Sequence, residues 1–308
     1  MKRVALMFAG QGAQQVGMGK DLYDNSPAAR EVFDKADSIL GRSITAACFS
    51  GPQEQLTESR TCQPAIYVAS IACLAALREA VDFEPVAAAG LSLGEFGACT
   101  AAGVFDIQTG LPLVARRGEL MQTACRESVG AMAAVLNADP ELLARICKQS
   151  DVDIANFNCP GQTVISGESG KIDQALTALR EAGVKKVVKL DVDGAFHSRL
   201  MAPAAEEFGR VLAELTFDRP QFPVAQNVVG QTVSDPAEIS RNLEQQITGS
   251  VRWEDCVAAM NAENPDLFIE LGPGRVLSGF MRRIDRTATT CNVATSEDLA
   301  KTVEVLAS

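Results

Sequence analysis

The chain is short of positive charge and of histidine. Its 308 residues include 28 lysines and arginines against 39 aspartates and glutamates, so the net charge is −11. A protein this acidic has no overall field to hold a polyanion, and we expect neither nucleic acid nor an anionic membrane as a partner. Any anionic ligand should meet a local cluster of arginine or lysine. The single histidine hardly supplies a usual zinc site, and we expect neither a metal nor a bound cofactor.

The nine cysteines lack the spacing of a metal or redox motif. They stand at positions 48, 62, 73, 99, 125, 147, 159, 256 and 291, and no two are closer than eleven residues. There is thus no Cys-x-x-Cys pair. Their odd number and mostly apolar surroundings predict reduced, buried thiols in a soluble protein of a reducing compartment, cytoplasmic or in an organellar stroma or matrix.

Long apolar runs are also missing. The longest, Ala65–Leu77, covers 13 residues and includes a serine, whereas a membrane span needs roughly 20. The first ten residues, MKRVALMFAG, imitate a signal peptide, but glutamines follow where a cleavage site would stand. We therefore expect a buried first strand at Val4–Phe8.

What the sequence does contain is an alternation of strands and helices. Besides the first strand, it predicts strands at Val86–Gly90 and Asp266–Leu271 and helices at Ala65–Glu79, at Glu95–Ala102 and from the cap Asp106 through Leu120. Pro112 should delay or kink the last of these helices. The alternation predicts an α/β fold in which helices cover both faces of a parallel sheet.

The middle of the chain has a different order of elements. It predicts strands at Ala131–Leu136, Val152–Phe157, Gln162–Ser166 and Lys185–Asp191, with helices at Pro140–Gln149 and Ile172–Ala182. This β-α-β-β-α-β order is typical of a ferredoxin-like unit. We predict a small domain at residues 129–193, inserted into a larger α/β domain made of residues 1–128 and 194–308, with a ligand cleft between them.

A candidate nucleophile lies at the end of the second predicted strand. Residues 90–94 read Gly-Leu-Ser-Leu-Gly, the G-x-S-x-G pattern that exposes a serine hydroxyl on a sharp strand-to-helix turn. The bland alternative is a βα turn in which the serine only caps the helix. The position between a buried strand and a helix favours Ser92 as a nucleophile.

A serine nucleophile needs a base, and the chain offers one histidine, His197. The alternative is a structural histidine at the start of a helix, Ser198–Met201. A carboxylate often orients the histidine in G-x-S-x-G hydrolases. Asp191 and Asp193 are near in sequence, and the pattern alone does not choose between them.

A glycine-rich loop, residues 8–12 (Phe-Ala-Gly-Gln-Gly), follows the first strand. As a dinucleotide loop it fails, because Gln15 occupies the third glycine position of G-x-G-x-x-G. The loop either simply connects two elements or donates a backbone N–H to an oxyanion. In the second case the donors would be Gln11 and Leu93, the residue after the nucleophile.

An arginine shares the apolar face of a predicted helix. Val114, Arg117 and Met121 fall on one side, and Arg116 points away. A buried guanidinium needs an anionic partner. A substrate carboxylate would fit it bidentately, but an internal salt bridge, for example to Glu95 or Asp193, is at least as compatible with the pattern.

Together these residues resemble the malonyl-CoA:acyl carrier protein transacylases of fatty-acid synthesis over nearly the whole chain. The motifs are F-x-G-Q-G at 8–12, Gly-x-Ser-Leu-Gly-Glu at 90–95, Arg117-Gly118, Asn-Phe-Asn-Cys-Pro-Gly-Gln at 156–162, Ala195-Phe196-His197, Gln246 with Val251-x-Trp253, and Glu-Leu-Gly-Pro-Gly at 270–274. The resemblance implies a hydrolase-like α/β domain with a ferredoxin-like subdomain. It also implies malonyl-CoA and acyl carrier protein as partners.

The resemblance implies a role for each matching residue. Ser92 becomes malonylated, and His197 is the general base and acid. The N–H groups of Gln11 and Leu93 form the oxyanion hole. The remaining matches are substrate-site residues: Arg117 binds the malonyl carboxylate, Gln246 orients the histidine through an amide or main-chain oxygen, and Phe196 crowds out an α-methyl group.

The sequence departs from the family pattern in three places. Ala9 replaces a proline, which leaves the Gln11 N–H available. Leu91 replaces a histidine that is not the base. Gly249-Ser250 replaces the commoner Asn-Pro or Ser-Pro, and this bears on how Gln246 is aimed.

The expected activity is ping-pong transfer of a malonyl group from CoA to the phosphopantetheine thiol of acyl carrier protein. The alternatives are a serine thioesterase or esterase, a polyketide-supplying malonyl transacylase and an inactive binding module. Carrier proteins of this pathway are acidic, so docking needs a basic patch. The visible clusters are Lys185, Lys186 and Lys189, or Arg282, Arg283 and Arg286, although either could be an ordinary solvated face.

Overall fold

In residues 1–192 and 194–308, which the computed structural model describes, the chain forms two β-sheets surrounded by helices. The strands are β1 (Arg3–Phe8), β2 (Glu84–Gly90), β3 (Gly130–Leu136), β4 (Asp153–Cys159), β5 (Gln162–Glu168), β6 (Lys186–Lys189), β7 (Val224–Gln226), β8 (Gln231–Val233), β9 (Val251–Arg252), β10 (Leu267–Leu271) and β11 (Thr290–Val293). The helices are α1 (Lys20–Asn25), α2 (Pro27–Leu40), α3 (Ile44–Ser50), α4 (Gln53–Thr57), α5 (Ser59–Ala80), α6 (Gly94–Ala101), α7 (Ile107–Glu127), α8 (Pro140–Gln149), α9 (Ser169–Glu181), α10 (Ala202–Ala213), α11 (Pro236–Gln245), α12 (Trp253–Asn261), α13 (Val276–Ile284) and α14 (Ser296–Ala307). A single 3₁₀ turn, Arg199–Met201, precedes α10.

The larger sheet has the strand order β11-β10-β1-β2-β7-β8 and is parallel except for the β7–β8 pair. Its central strand β1 is covered on both faces. Leu6 and Phe8 pack in the core that contains α5 and α7, while Met7 packs on the opposite face with Trp253 of α12. This confirms the predicted α/β fold with a helix-covered parallel sheet.

Parallel pairing brings two strand ends to one edge of the larger sheet. Phe8 at the end of β1 lies opposite Gly90 at the end of β2. The glycine-rich loop and the G-x-S-x-G turn therefore leave the sheet side by side. The carboxyl edge of a parallel sheet is where α/β folds place their ligand sites.

The smaller sheet contains the predicted β-α-β-β-α-β segment. Its antiparallel strands run in the order β6-β3-β5-β4, and side chains of α8 and α9 complete its core. A fifth strand, β9, pairs in parallel with β4, although it comes from the segment assigned to the larger domain. The smaller sheet thus includes a strand from the segment assigned to the larger domain, and the domain boundaries stay a prediction.

Helix α5 begins earlier than predicted, at Ser59, although Pro64 lies inside it. Proline cannot donate to the carbonyl four residues back. That carbonyl, on Arg60, instead accepts a hydrogen bond from the Arg42 side chain at 3.1 Å. The full helix is long and apolar enough to cross a membrane, but 89% of its most hydrophobic window is buried inside the protein, so it is a core helix of this fold.

Helix α7 begins where its cap was predicted. The Asp106 side chain accepts a hydrogen bond from the Thr109 N–H. The expectation that Pro112 delays the helix is wrong, because the helix runs without a break from Ile107 to Glu127. Pro112 frees the carbonyl of Gln108, an exposed residue of the first turn, where water is able to satisfy it.

Candidate active site

Ser92 sits on a backbone turn that only a close-packed pair of glycines permits. Its φ is +52°, a left-handed conformation that costs a serine of order 1 kcal/mol or more. A Cβ on Gly90 would lie 1.8 Å from the Gly94 backbone, and one on Gly94 would lie 2.1 Å from the Phe8 carbonyl oxygen. The G-x-S-x-G glycines are therefore a steric requirement of a tight strand-to-helix turn.

The glycine-rich loop packs against this turn. A Cβ on Gly10 would come within 2.5 Å of the Leu91 carbonyl oxygen. Ala9 donates its N–H to the Leu271 carbonyl oxygen at 3.1 Å, a bond that a proline at this position could not make. No helix follows the loop until Lys20, so it differs from the loop-to-helix arrangement of dinucleotide folds.

The fold brings Ser92 and His197 together across 105 positions of sequence. The Ser92 Oγ lies 2.7 Å from His197 Nε2, and His197 Nδ1 lies 2.8 Å from the main-chain oxygen of Gln246. A carbonyl only accepts, so Nδ1 carries the proton and Nε2 is free to accept from the serine hydroxyl. His197 is itself held at φ +55°.

No carboxylate of the described residues contacts His197. Asp191 lines the cavity without a hydrogen bond to the imidazole, and Asp193 lies outside the described residues. Of the two oxygen types implied for Gln246, the geometry selects the main-chain one. The departure at Gly249-Ser250 leaves this contact in place, since Ser250 anchors the segment by donating to the Ile154 carbonyl oxygen at 2.6 Å.

Burial keeps His197 neutral. The residue is 4% exposed. Burial, with a smaller contribution from the charge of Arg117, lowers the pKa of His197 to about 4, against the hydrogen bond to Gln246. A neutral imidazole is the form that can accept a proton from a serine.

Arg117 lies on the buried face of α7, as predicted. Arg117 is 1% exposed, like its apolar neighbours Val114 and Met121, whereas Arg116 reaches solvent and pairs with Glu119. The Arg117 guanidinium donates from Nη2 to the Ser92 Oγ at 3.1 Å. Sequence periodicity thus identified the arginine that contacts the candidate nucleophile.

The remaining partners of Arg117 are neutral. Nη1 donates to Gln63 Oε1 at 2.7 Å and Nη2 also donates to Gln246 Oε1 at 2.8 Å, while Nε is buried without a partner. The alternative of a salt bridge to Glu95 is wrong, because no carboxylate of the described residues pairs with this guanidinium; Asp193, the other partner considered, lies outside those residues. A buried cation without an ion pair is a ready site for an anionic group.

Glu95 lies close enough to affect Arg117 electrostatically. Burial raises the pKa of Glu95 to about 7, although hydrogen bonds from Asn227 and the charge of Arg117 oppose this. Burial likewise lowers the pKa of Arg117 to about 10, and the charge of Glu95 opposes that. Both directions follow from removing a charged group from water, and the guanidinium remains positive at neutral pH.

Sequence reasoning missed Gln63 and Asn227. Gln63 links Arg117 to the glycine-rich loop, since its Nε2 also donates to Gln11 Oε1 at 3.4 Å. The side-chain oxygen of Asn227 accepts a hydrogen bond from the Ser92 N–H at 2.7 Å. Neither residue belongs to a pattern with a fixed spacing. A polar residue in an apolar helix and a polar residue just after a strand were the only signals available.

Two backbone N–H groups at the site remain free. Among the described residues, neither the Gln11 N–H nor the Leu93 N–H donates a hydrogen bond. The Ser92 N–H is taken by Asn227. The two predicted oxyanion donors are therefore available.

The candidate site opens into a cavity of about 320 Å³ between the two sheets. Its wall includes the nucleophile pair and Phe196, together with Gln11, Leu91, Met121, Met132, Asn156, Asn158, Leu190, Asp191, Val276 and Phe280. Phe196 is 7% exposed and lines this space. Arg117 and Gln246 adjoin this wall through Ser92, since Arg117 Nη2 donates to the Ser92 Oγ and Gln246 Nε2 donates to the Ser92 carbonyl oxygen.

The fold and this site define an acyltransferase. Residues 6–299 match the family described as an acyl transferase domain. A malonyl CoA-acyl carrier protein transacylase from Bacillus subtilis is 38% identical over 311 residues, covering 99% of this chain and 98% of that protein. The chain therefore belongs to the malonyl-CoA:acyl carrier protein transacylase family, which confirms the resemblance seen in its motifs.

Solved structures agree with this assignment. An acyl carrier protein S-malonyltransferase from Vibrio cholerae superimposes with a TM-score of 0.93 at 37% identity, covering 97% of this chain and 99% of that chain. A malonyl-transacylase solved in complex with a type II polyketide synthase acyl carrier protein gives a TM-score of 0.95 at 36% identity, covering 98% and 99%.

Proposed function

We propose that this chain transfers a malonyl group from CoA to the phosphopantetheine thiol of acyl carrier protein, through a malonyl ester of Ser92. The observation that carries the proposal is the position of the Ser92 Oγ, 2.7 Å from His197 Nε2 and 3.1 Å from Arg117 Nη2. A nucleophile, a base and a cation for the substrate carboxylate therefore meet at one atom. Family membership supports the same activity.

In the first half-reaction His197 Nε2 removes the Ser92 hydroxyl proton while the Oγ attacks the thioester carbonyl carbon. The N–H groups of Gln11 and Leu93 stabilise the oxyanion, and such a donor is worth about 3 kcal/mol. The protonated histidine then delivers its proton to the departing CoA thiolate, leaving malonyl-Ser92. The Gln246 carbonyl keeps the imidazole in the required tautomer throughout.

In the second half-reaction the thiol of acyl carrier protein replaces CoA. His197 removes the thiol proton, the thiolate attacks the ester carbonyl and the same two N–H groups stabilise the oxyanion. The proton returns to the Ser92 Oγ as the new thioester leaves. Proton and acyl group are both conserved over the cycle, so no cofactor is required.

Arg117 binds the malonyl carboxylate along the guanidinium edge that carries Nε and Nη2. Nη2 already reaches the Ser92 Oγ, and Nε is buried without a partner. A carboxylate on this edge would satisfy Nε and form the bidentate pair that the planar fork favours. Gln63 accepts from Nη1 and Gln246 accepts from Nη2, and these two contacts fix the plane of the guanidinium. Phe196, on the cavity wall, would narrow the space beside the malonyl methylene.

The proposal is tested by intact-mass spectrometry of the complete cycle. After mixing with malonyl-CoA, the protein should gain one malonyl group, and addition of phosphopantetheinylated carrier protein should return it to its original mass while the carrier gains the group. A protein that acquires no adduct with malonyl-CoA, or an adduct that the carrier does not remove, contradicts the proposal.

A serine thioesterase would share the first half-reaction. It is less well supported because His197 is oriented by a carbonyl oxygen, whereas the hydrolytic triad uses a carboxylate. The same experiment separates the two activities, since a thioesterase releases malonate steadily from malonyl-CoA without carrier protein. An inactive binding module would bind CoA without forming any adduct.

A polyketide-supplying role has the same chemistry and differs only in the carrier protein. The observation in its favour is the similarity to the malonyl-transacylase bound to a polyketide synthase carrier. Comparing kcat/KM for fatty-acid and polyketide carriers distinguishes the two pathways.

The compartment is proposed from the cysteines. Seven of the nine are buried, and burial raises the pKa of Cys48 and Cys62 to about 12. Thiols held in this way behave as small apolar side chains. We infer a reducing compartment, either the cytoplasm or an organellar stroma or matrix.

We expect malonylation to persist to unusually low pH. The reaction needs neutral His197, and a pKa of about 4 keeps the imidazole neutral well below the 6.5 of a free histidine. As pH falls, protonation removes the base, so the rate should hold to about pH 5.5 and decline towards pH 4. Single-turnover adduct formation measured by rapid quench and intact mass gives this profile.

The control for this profile is Glu95→Gln, because the carboxyl of Glu95 has a pKa of about 7 and sits near Arg117. If the rate of adduct formation changes near pH 7 in the wild type but not in this variant, that change is due to the titration of Glu95. A loss of rate centred near pH 6.5 that persists in the variant would show that burial does not depress the pKa of His197.

The arginine cluster at the end of α13 is the better candidate for carrier docking. Val276 and Phe280 of this helix line the cavity, and Arg282 and Arg286 are exposed without an ion-pair partner in residues 1–192 and 194–308. In the lysine cluster, Lys189 is already paired with Asp173. Unpaired cations on, or just after, a helix that lines the cavity suit an acidic protein.

Reversing the charge of Arg282 and Arg286 to glutamate should therefore raise the KM for carrier protein several-fold at low salt, with the difference shrinking as salt is added. Malonylation by malonyl-CoA should be unchanged. The matched control is charge reversal at Lys185 and Lys186, which should alter the KM less. An unchanged KM in the arginine variant would remove this surface from consideration.

A further inference from the structure

Asn227 contacts the nucleophile turn from a distant part of the chain. It follows β7 and is fully buried. Its side-chain oxygen accepts the Ser92 N–H at 2.7 Å, and its side-chain nitrogen donates to the Gly90 carbonyl oxygen at 2.8 Å. The side-chain amide of Asn227 thus binds the carbonyl oxygen of the residue before Leu91 and the N–H of the residue after it.

Ser92 needs such a partner for two reasons. Its φ of +52° is costly for a residue with a Cβ and persists only where surrounding contacts fix it. Its N–H also precedes the first hydrogen bonds of α6, so without Asn227 it would be left unpaired at the base of the site, at a cost of about 1–3 kcal/mol. Relaxing φ would move the Oγ away from His197.

Asn227 is itself held on its main-chain side. Its N–H donates to Glu95 Oε2 at 2.7 Å, and its carbonyl oxygen accepts from the Arg252 N–H at 2.9 Å. Glu95 belongs to the first turn of α6. The contacts of Asn227 therefore join β2, the nucleophile turn and α6, and nothing in them requires substrate.

We propose that Asn227 is a positioning residue that sets the reactivity of Ser92 by holding its backbone in the left-handed conformation. It does not line the cavity, so it acts through Ser92. By occupying the Ser92 N–H it also leaves oxyanion stabilisation to Leu93 and Gln11. The inference rests on the proposed acylation of Ser92 and adds a residue that the reaction itself does not touch.

The test compares two substitutions of similar shape. Asn227→Leu removes both hydrogen bonds, and we expect labelling of Ser92 by malonyl-CoA and by a fluorophosphonate probe to slow together by up to about a hundredfold. The KM for malonyl-CoA should change little. The fluorophosphonate needs the reactive serine but no malonyl site, so it reports on the nucleophile alone.

Asn227→Asp should be rescued by acid. A neutral carboxylic acid can accept the Ser92 N–H and donate to the Gly90 carbonyl, whereas a carboxylate can only accept. Relative to wild type at the same pH, labelling should be close to normal at pH 5.5 and fall several-fold by pH 8. The titratable neighbours are Glu95 and Cys256, whose Sγ lies 3.8 Å from Asn227 Nδ2.

Asn242→Leu is the matched control. Asn242 is 5% exposed and donates to Gln226 Oε1 at 2.8 Å, further from the serine in the same buried network. The Asn242→Leu substitution should lower the free energy of unfolding without slowing fluorophosphonate labelling. The proposal is overturned if Asn227→Leu is labelled at the wild-type rate, or if it slows labelling no more than Asn242→Leu does.

A measurement on the wild-type protein tests the proposal even if the variants do not fold. In amide hydrogen exchange followed by NMR, the Ser92 N–H should exchange far more slowly than the unbonded Leu93 N–H, and equal exchange would contradict the proposal. The fluorophosphonate also separates the two hypotheses. If the wild-type protein is labelled by the probe but not by malonyl-CoA, the proposed function fails. The labelling rates of the Asn227 variants with the probe still test the role of Asn227.

Discussion

Replacing Ser92 with alanine should abolish the malonyl adduct and reduce transfer by at least about 10⁴-fold. The substitution removes the attacking oxygen, and enzymes that lose a serine nucleophile keep only the residual effect of substrate binding and oxyanion donors. The fold should survive, because the hydrogen bond to Asn227 comes from the main-chain N–H of residue 92. Alanine keeps this N–H, so the left-handed turn keeps its partner.

The matched control is Ser166→Ala. Ser166 is fully buried and its hydroxyl has no hydrogen-bond partner, so the same chemical change should leave adduct formation at the wild-type rate. Intact mass after incubation with malonyl-CoA provides the comparison. An adduct that persists in Ser92→Ala would place the nucleophile elsewhere.

His197→Ala should slow adduct formation to a similar degree, because Ser92 then has no base within reach. The two losses should not add. In residues that act as one unit, the double variant costs about as much as either single one. A double variant that is slower than both singles by the product of their effects would show that Ser92 and His197 act independently.

Replacing Arg117 with alanine should remove the preference for malonyl over acetyl groups. Loss of a buried, bidentate contact to a carboxylate costs about 3 kcal/mol, or roughly a hundredfold in rate. Acetyl-CoA has no carboxylate, so its reaction should fall much less. The measurement is the ratio of single-turnover rates with malonyl-CoA and acetyl-CoA.

Two further variants sharpen this result. Arg116→Ala makes the same change one residue away on the exposed face of α7 and should leave the ratio unchanged. Arg117→Lys keeps the charge without the planar fork and should lie between wild type and Arg117→Ala. If the rates for malonyl-CoA and acetyl-CoA fall equally in Arg117→Ala, the arginine supports the site without binding the carboxylate.

The local features of this site could be predicted because they are encoded in neighbouring residues. A glycine on each side of Ser92, a strand before it and a helix after it are properties of one short segment. Helical periodicity placed Arg117 with Val114 and Met121 for the same reason. The predicted delay at Pro112 did not occur, and helix α7 begins before this residue because an exposed first turn tolerates the missing hydrogen bond.

The sequence by itself determined the residue types that can do chemistry: one histidine, one G-x-S-x-G serine and one arginine on an apolar helix face. Only the tertiary structure decided their partners. The orienting group of His197 is a main-chain oxygen, and Asn227 reaches Ser92 from 135 positions away. The physical reason is that backbone conformation and side-chain direction follow from adjacent residues, whereas a hydrogen bond between distant segments exists only after the sheets and helices have packed.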